Sequence, residues 1–213
     1  MFTGIIEKSG IVTEVILTGT NKTFWIESLI SNEFSVDQSV AHNGVCLTVE
    51  EINNGRHKVT AIEETLKKTN LDSWEKNTLV NIERCLQMNG RLDGHIVQGH
   101  VDAVATCIEV VEKKGSWEFS FHFDKQFAAL VIEKGSIALN GISLTIFNVL
   151  PDGFTVAIIP YTYEHTNMRF LKSGDGINIE FDMIGKYVSR MTTLNYNSSG
   201  KIAVTWFNWA PER

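Results

Sequence analysis

The sequence has few of the residues that cross-link proteins or interrupt their chains: three cysteines and three prolines in 213 residues. The cysteines are an odd number without a CxxC spacing, so neither a disulfide framework nor a zinc cluster is predicted. No apolar run approaches the roughly 18 residues of a membrane-spanning helix. The first residues also lack the basic and long apolar regions of a secretory signal. We therefore expect a cytoplasmic protein with free thiols and no membrane contact.

Basic stretches are missing as well. Lysine and arginine number 19 against 25 aspartate and glutamate residues, which gives a formal charge of −6. Proteins that bind nucleic acid collect phosphates with clustered lysine and arginine side chains, and no such cluster occurs here. The composition argues against nucleic acid as a partner and leaves a small neutral or anionic ligand.

What the sequence does contain is an internal repeat. Residues 39–49, SVAHNGVCLTV, return as residues 136–146, SIALNGISLTI, and the same offset pairs VNIE at 80–83 with INIE at 177–180. Two copies are too few for a solenoid, which needs roughly three to bury a continuous core. The predicted organisation is a first domain at 1–90, a second domain at 91–185, and a C-terminal helix and tail at 186–213.

Alternation of apolar and polar residues predicts an all-β protein. Aromatic residues at 117, 119, 121 and 123 alternate with polar ones, which is the pattern of a half-buried strand. About six strands in ninety residues close most economically as a barrel, because closure removes exposed strand edges. Further strands are predicted at 58–62, 78–83, 155–160 and 176–181, and helices at 28–34, 124–132 and 184–194.

An ordered set of motifs resembles the riboflavin synthases. The motifs are MFTGI at the start, NGVCLTV, GHIVQGHVD at 94–102, KGSIALNGISLT at 134–145, IIPYT at 158–162, INIEFD and GKYV. They cover the chain from Met1 to about Tyr187, and the set is far more specific than any one motif. The resemblance implies two tandem, similar six-stranded antiparallel Greek-key barrels followed by a C-terminal helix, assembled as a homotrimer.

The resemblance also implies a reaction. One molecule of 6,7-dimethyl-8-ribityllumazine gives a four-carbon unit to a second, yielding riboflavin and 5-amino-6-(ribitylamino)uracil in the last step of riboflavin biosynthesis. The resemblance implies no metal or organic cofactor. It does imply a functional association with lumazine synthase. A duplicated domain suits this reaction, because two similar pockets can orient two copies of one compound, which can be worth ~7 to 11 kcal/mol.

Positions that differ between the repeats are the predicted catalytic ones. Cys46, which aligns with Ser143, is the candidate nucleophile or proton carrier; its alternative is a small buried apolar residue in a strand. His100 is the candidate acid or base, because imidazole titrates near neutral pH and a lumazine methyl group must lose a proton. Its alternative is a hydrogen-bonded structural histidine. Ser39 and Asp182 complete the predicted catalytic set.

The predicted substrate contacts combine backbone groups near the start of the chain with short polar side chains at strand ends. The backbone groups would bind the pteridine ring and the hydroxyl-bearing side chains the ribityl chain, although threonine is also an ordinary strand residue. Asn140 stands where some riboflavin synthases have aspartate, so it is predicted to hydrogen-bond rather than exchange a proton. The predicted contacts are Phe2, Gly4, Ile5, Ile6, Cys46, Leu47, Thr48, Ile62, Glu64, Thr65, Gly99, His100, Val101, Lys134, Asn140, Ser143, Leu144, Thr145, Ile159, Pro160 and Thr162.

The other reactive side chains receive structural interpretations. Cys85 and Cys107 are predicted to be structural, and Lys134 with Asp182 forms either part of the site or a surface ion pair. His95 lies in the same motif as His100 without a third metal ligand. The remaining histidines are predicted to be structural or solvated: His42, His57, His122 and His165. The tail aromatics are predicted to pack on a barrel or a neighbour: Trp206, Phe207 and Trp209.

Two other functions remain open at this point. A noncatalytic antenna protein that holds lumazine or flavin as a chromophore would keep the barrels but would not need Cys46, His100 and Phe2 together. A flavin-dependent reductase barrel would normally be joined to a nicotinamide-binding unit with a Gly-rich turn, and no GxGxxG motif follows a predicted strand here.

Overall fold

The computed structural model describes residues 1–199, so the predicted tail cluster of Trp206, Phe207 and Trp209 lies outside the described residues. The chain folds into two closed antiparallel barrels of six strands each, followed by a C-terminal helix, which confirms the predicted architecture. Within residues 1–199, no helix is long and apolar enough to cross a membrane.

The strands of the two barrels follow one another in the same order along the chain. The first barrel contains β1 (Lys8–Thr18), β2 (Asn21–Ser28), β3 (Ser39–His42), β4 (Val45–Asn53), β5 (Arg56–Ala61) and β6 (Leu79–Arg84). The second contains β7 (Ala103–Lys113), β8 (Ser116–His122), β9 (Ser136–Leu139), β10 (Ile142–Leu150), β11 (Gly153–Ile158) and β12 (Gly176–Phe181).

Short helical segments connect the strands at equivalent places in the two barrels. The α-helices are α1 (Glu63–Lys68), α2 (Pro160–His165) and the C-terminal α3 (Met183–Ser199). Short 3₁₀ helices occupy Ser31–Glu33, Asn70–Ser73, Lys125–Leu130 and Asn167–Phe170. The 3₁₀ helices at Ser31–Glu33 and Lys125–Leu130 lie inside the helices predicted at 28–34 and 124–132.

Both barrels have a Greek-key arrangement. The order around the first barrel is β1-β2-β5-β4-β3-β6, and β7 to β12 repeat this order in the second. Three strands joined in sequence, β3-β4-β5, lie side by side, and β6 returns beside β3, which is the Greek-key pattern. The repeated motif NGVCLTV or NGISLTI therefore forms the tight turn and the middle strand of this unit in each barrel.

Alternation along each strand places the apolar side chains inside the barrels. Phe119, Phe121 and Phe123 are buried in the core of the second barrel, whereas His122 faces outward. The first barrel has a separate core that includes Phe24. Each unit therefore buries its own apolar cluster, as expected for a duplicated domain.

Predicted strands end earlier in the structure where a helix begins. The strand predicted at 155–160 ends at Ile158, because Pro160 is the first residue of α2, a position that suits proline. The strand predicted at 58–62 ends at Ala61, because Ile62 is the residue before α1. Both helices have six residues, too few to show a helical period in the sequence.

A network of buried asparagines joins the two barrels. The side-chain amide of Asn81 donates to the carbonyl of Asn140 at 3.1 Å, and that of Asn178 donates to the carbonyl of Asn43 at 2.9 Å. Asn167 extends the network by donating its backbone N–H to Asn81 Oδ1 at 2.9 Å. Equivalent residues of the repeats exchange equivalent bonds, so the barrels are related by an approximate twofold axis.

Candidate active site

The first candidate cluster lies on the outer face of the first barrel and comprises Ser39, Cys46, Thr48, Gly99 and His100. Strand β4 alternates, so Cys46 is half-buried and Thr48 exposed, while Leu47 between them points into the core. Ser39 pairs with Thr48 across β3 and β4. Burial raises the pKa of the Cys46 thiol, and a hydrogen bond with Ser39 only partly opposes this. Cys46 is therefore a thiol, not a thiolate, near neutral pH.

A segment that precedes the second barrel closes this cluster. The carbonyl of Gly99 accepts the backbone N–H of Cys46 at 2.9 Å, and Val101 packs against the core of the first barrel. Gly99 has φ +82°, and a Cβ there would lie 2.7 Å from Cys46 Cβ. Only glycine fits this close approach. His100 follows immediately and is exposed, so the structure brings both principal catalytic candidates to one place.

The second candidate cluster comprises Gly4, Ile5, His95, Ser143 and Thr145, and it repeats this arrangement on the second barrel. The carbonyl of Gly4 accepts the backbone N–H of Ser143 at 2.8 Å, as Gly99 does from Cys46. Ile5, 47% exposed, takes the place of His100. The two clusters share their backbone geometry and differ in their side chains.

His95 is a member of the second cluster that the sequence did not assign. Its Nδ1 lies 2.7 Å from the hydroxyl oxygen of Ser143. Burial lowers the pKa of His95, and the nearby charge of Asp182 partly opposes this, so the imidazole is neutral near pH 7. His95 and His100 belong to one short sequence motif. Their closeness in sequence does not show that the two histidines lie in different clusters.

The two segments that close the clusters cross between the barrels. Phe2, fully buried, pairs with Val97 through backbone hydrogen bonds of 2.7 and 3.1 Å. Residues 1–6 precede the first barrel but contact the second through Gly4 and Ile6, whereas residues 97–101 precede the second barrel but contact the first. Each cluster therefore combines strand residues of one barrel with a segment that precedes the other barrel.

Two buried glutamates hold the crossing segments, and the sequence analysis did not assign a role to either. Glu83 accepts the backbone N–H groups of Thr3 at 2.6 Å and Gly4 at 3.0 Å. Glu180 accepts those of Gln98, Gly99 and His100 at 2.6, 2.9 and 2.8 Å. Burial raises the pKa of both carboxyls, and the hydrogen bonds counteract that rise. The repeated VNIE and INIE motifs are the sequence signal for this pair.

The helix starts bring further predicted contacts to equivalent edges of the two barrels. Ile62 and Ile159 are exposed at the ends of β5 and β11. Glu64 on α1 forms an i,i+4 ion pair with Lys68 at 3.2 Å. The remaining predicted contacts here are Thr65 on α1 and Pro160 and Thr162 on α2.

Several predicted contacts have other partners in the structure. Lys134 Nζ lies 3.8 Å from Glu133, while the Asp182 carboxylate accepts the N–H of Ile184 at 2.9 Å, so these two residues take separate partners. Leu144, like Leu47, packs toward a barrel core. Asn140 is buried, and its Oδ1 accepts the N–H of Asn178 at 3.0 Å. Its carbonyl accepts the side-chain N–H of Asn81 at 3.1 Å, and this bond joins the two barrels.

Comparison with known proteins agrees with the duplicated architecture. The family model described as the lumazine binding domain matches residues 3–85 and 98–182. Solved structures of LumP have the same fold: the complex with 6,7-dimethyl-8-(1'-D-ribityl) lumazine superimposes with a TM-score of 0.78 at 21% identity, covering 85% of this chain and 99% of that one. The riboflavin complex gives a TM-score of 0.80. The chain is thus a two-barrel protein of the lumazine-binding class.

Comparison with curated relatives identifies the family within this class. Riboflavin synthase of Bacillus subtilis (strain 168) is 38% identical over 191 residues, which is 89% of each chain. Riboflavin synthase of Saccharomyces cerevisiae (strain ATCC 204508 / S288c) is 38% identical over 207 residues, covering 91% of this chain and 87% of that protein. The chain belongs to the riboflavin synthase family of enzymes, as its motifs predicted.

Proposed function

We propose that the chain catalyses the dismutation of two molecules of 6,7-dimethyl-8-ribityllumazine to riboflavin and 5-amino-6-(ribitylamino)uracil. The observation that carries the proposal is the pair of equivalent clusters with unlike side chains, Cys46 and His100 in one, Ser143 and Ile5 in the other. Two copies of one compound need similar binding geometry, but a donor and an acceptor need different chemistry.

The backbone arrangement suits binding of a flat ring in each cluster. Gly4 and Gly99 carry no side chain where each crossing segment meets its barrel, which leaves backbone edges close to the strand. Thr48 and Thr145 are exposed at equivalent positions and offer hydroxyl partners for a ribityl chain. The remaining predicted contacts at the ends of β5 and β11 would enclose the ring from the helix side.

The chemistry requires proton transfer and movement of four carbons, with no net oxidation. His100 would take a proton from the methyl group of one lumazine, since it is exposed and a neutral imidazole has a ring nitrogen that can accept a proton. Cys46 would act as a protonated thiol that donates a proton or, once deprotonated during the reaction, as a nucleophile. Ser39 would orient the thiol through its hydrogen bond. In the other cluster, neutral His95 and Ser143 form a second polar pair for proton transfer.

The proposal also covers the oligomeric state, the location and a partner of the enzyme. We propose a homotrimer that works in the cytoplasm in functional association with lumazine synthase, as the family resemblance implies. The exposed apolar side chains of α3, among them Ile184, Val188 and Met191, support association between chains. Sedimentation of the purified protein tests the trimer.

A direct assay tests the proposed reaction. The purified protein is mixed with 6,7-dimethyl-8-ribityllumazine without any added cofactor, and riboflavin is followed by its absorbance and fluorescence. We expect one riboflavin for every two lumazines consumed. Tight fluorescent binding without product would contradict the proposal and would support the second candidate, a noncatalytic lumazine or flavin carrier.

The carrier is kept as a second candidate because of the solved neighbours. LumP has the same fold and was solved with lumazine and with riboflavin. Its 21% identity shows the fold alone, whereas the curated relatives at 38% are enzymes. Cys46, His100 and the buried Phe2 also occur together around one cluster, which a carrier would not need.

A further inference from the structure

The buried glutamates Glu83 and Glu180 occupy equivalent places at the ends of β6 and β12. Their side chains are 4% and 3% exposed. The positive charge of Lys186 lies near enough to Glu180 to oppose the rise in the pKa of its carboxyl. Both carboxylates accept backbone N–H groups of a crossing segment. A carboxylate that accepts two or three such bonds fixes the backbone more firmly than a neutral acceptor does.

Each glutamate binds a segment that contacts the barrel to which the glutamate itself does not belong, and we call this the crossed connection. Glu180 belongs to the second barrel, and it binds the N–H groups of Gly99 and His100, whose segment contacts Cys46 in the first. Glu83 belongs to the first barrel, and it binds the N–H of Gly4, whose carbonyl accepts from Ser143 in the second. Each carboxylate is therefore joined to the cluster of the opposite barrel through a single glycine.

We propose that Glu83 and Glu180 are positioning residues for the proposed reaction, and that each one sets the geometry of the site on the other barrel. Glu180 holds Gly99 and His100 against Cys46. Glu83 holds Gly4 and Ile5 against Ser143. The positioning inference rests on the proposed function, but the crossed connection itself can be measured without substrate.

The matched substitutions Glu180→Gln and Glu83→Gln test the crossed connection. Glutamine keeps the size of the side chain but turns one acceptor oxygen into an N–H donor, which then faces a backbone donor. The readout is amide hydrogen exchange at Cys46 and Ser143, whose N–H groups bond to Gly99 and Gly4. Glu118→Gln, on the surface strand β8, serves as the control.

A crossed pattern of exchange is expected. Glu180→Gln speeds exchange at Cys46 by about tenfold and leaves Ser143 within about twofold, since losing a charge-assisted bond is worth at least a factor of that order. Glu83→Gln does the reverse. Both variants lower kcat/KM for lumazine, and Glu118→Gln changes neither exchange nor turnover.

Other outcomes overturn the inference. If each variant speeds exchange at both amides equally, or only in its own barrel, the glutamates stabilise the fold without crossed positioning. If Glu180→Gln does not fold, Glu180→Asp keeps the charge with a shorter reach, and unchanged exchange at Cys46 in that variant contradicts the proposal. Absent turnover in the unmodified protein would contradict the proposed function alone, because the exchange pattern does not depend on substrate.

Discussion

At the scale of single residues, the protonation of Cys46 separates two mechanisms. Burial raises the pKa of its thiol, so the site does not hold a preformed thiolate as thiol proteases do. A thiol beside an exposed histidine is a proton carrier first and a nucleophile only after it has lost its proton. Ser143, at the equivalent place, shows that the backbone also accepts a hydroxyl there.

Cys46→Ser is expected to lower turnover without a matching loss of binding. The hydroxyl fits the same space but holds its proton much more strongly, so we expect kcat to fall about tenfold or more while riboflavin affinity changes less than about threefold. Steady-state kinetics and a fluorescence titration measure the two quantities. Cys107→Ser is the control, since Cys107 is buried in the core of the second barrel. Unchanged kcat would make Cys46 structural.

A buried pair of histidines distinguishes the first barrel from the second. His42 Nε2 lies 2.8 Å from His57 Nε2, and His57 Nδ1 lies 2.8 Å from the Ser31 hydroxyl. Both rings are fully buried. Burial lowers the pKa of His57 to about 4 and that of His42 well below its usual value. The pair therefore contributes to stability only while both rings are neutral.

The histidine pair predicts loss of stability at acid pH. The unfolded chain binds a proton at position 57 near pH 6.5 and the folded chain only near pH 4, so the free energy of unfolding falls as pH drops through that window, by roughly 3 kcal/mol for His57. Urea unfolding between pH 4 and 8 measures this. His57→Gln, which keeps hydrogen-bonding groups without titrating, should reduce the pH dependence and leave the part due to His42, with the exposed His122→Gln as the control.

At the scale of elements, the sequence predicts the positions of the strands better than the structure of the segments between them. Period-two alternation identified β8 and β12 within about one residue, because each buries one face against a core. The crossing of residues 1–6 and 97–101 left no such pattern. These segments are held by backbone hydrogen bonds to each other and to the strands, and by glutamates distant in sequence, which periodicity does not report.

The close approach of a crossing segment to its strand predicts a strong effect of Gly99→Ala. The added Cβ would lie 2.7 Å from Cys46 Cβ and 2.8 Å from the Phe2 ring, at a backbone conformation that disfavours alanine. We expect kcat/KM to fall at least about tenfold, since misplacing His100 by a fraction of an ångström disturbs alignment. Gly115→Ala is the matched control: its φ is +101°, but nothing lies within 4 Å. Equal effects of both substitutions would attribute the loss to backbone strain alone.

At the scale of the whole molecule, the duplication explains why the chain forms two similar barrels. It also explains why the repeat alone does not reveal the role of the asparagines between the barrels. The sequence predicts a substrate contact at Asn140, and in the structure Asn140 and its equivalent Asn43 join the barrels across an approximate twofold axis. A repeat shows that two positions are equivalent, but not whether they face a ligand or each other. The differing positions Cys46 and His100 belong to one candidate cluster, because the backbone N–H of Cys46 donates to Gly99, which precedes His100.

Buried asparagines hold the two barrels in this approximate twofold arrangement. We therefore expect the interface between the barrels to affect both stability and turnover. Asn81 is 1% exposed, accepts from Asn167 N–H and donates to the Asn140 carbonyl. Asn81→Ala leaves a donor and an acceptor unpaired in a buried place, so the free energy of unfolding should fall by about 2 to 4 kcal/mol. Turnover should fall as well, because each site combines one barrel with a segment that precedes the other and depends on how the barrels are oriented. Urea unfolding and the lumazine assay test both effects against Asn53→Ala, an exposed asparagine at the end of β4. Lost stability with unchanged turnover would show that the crossing segments alone fix the two sites.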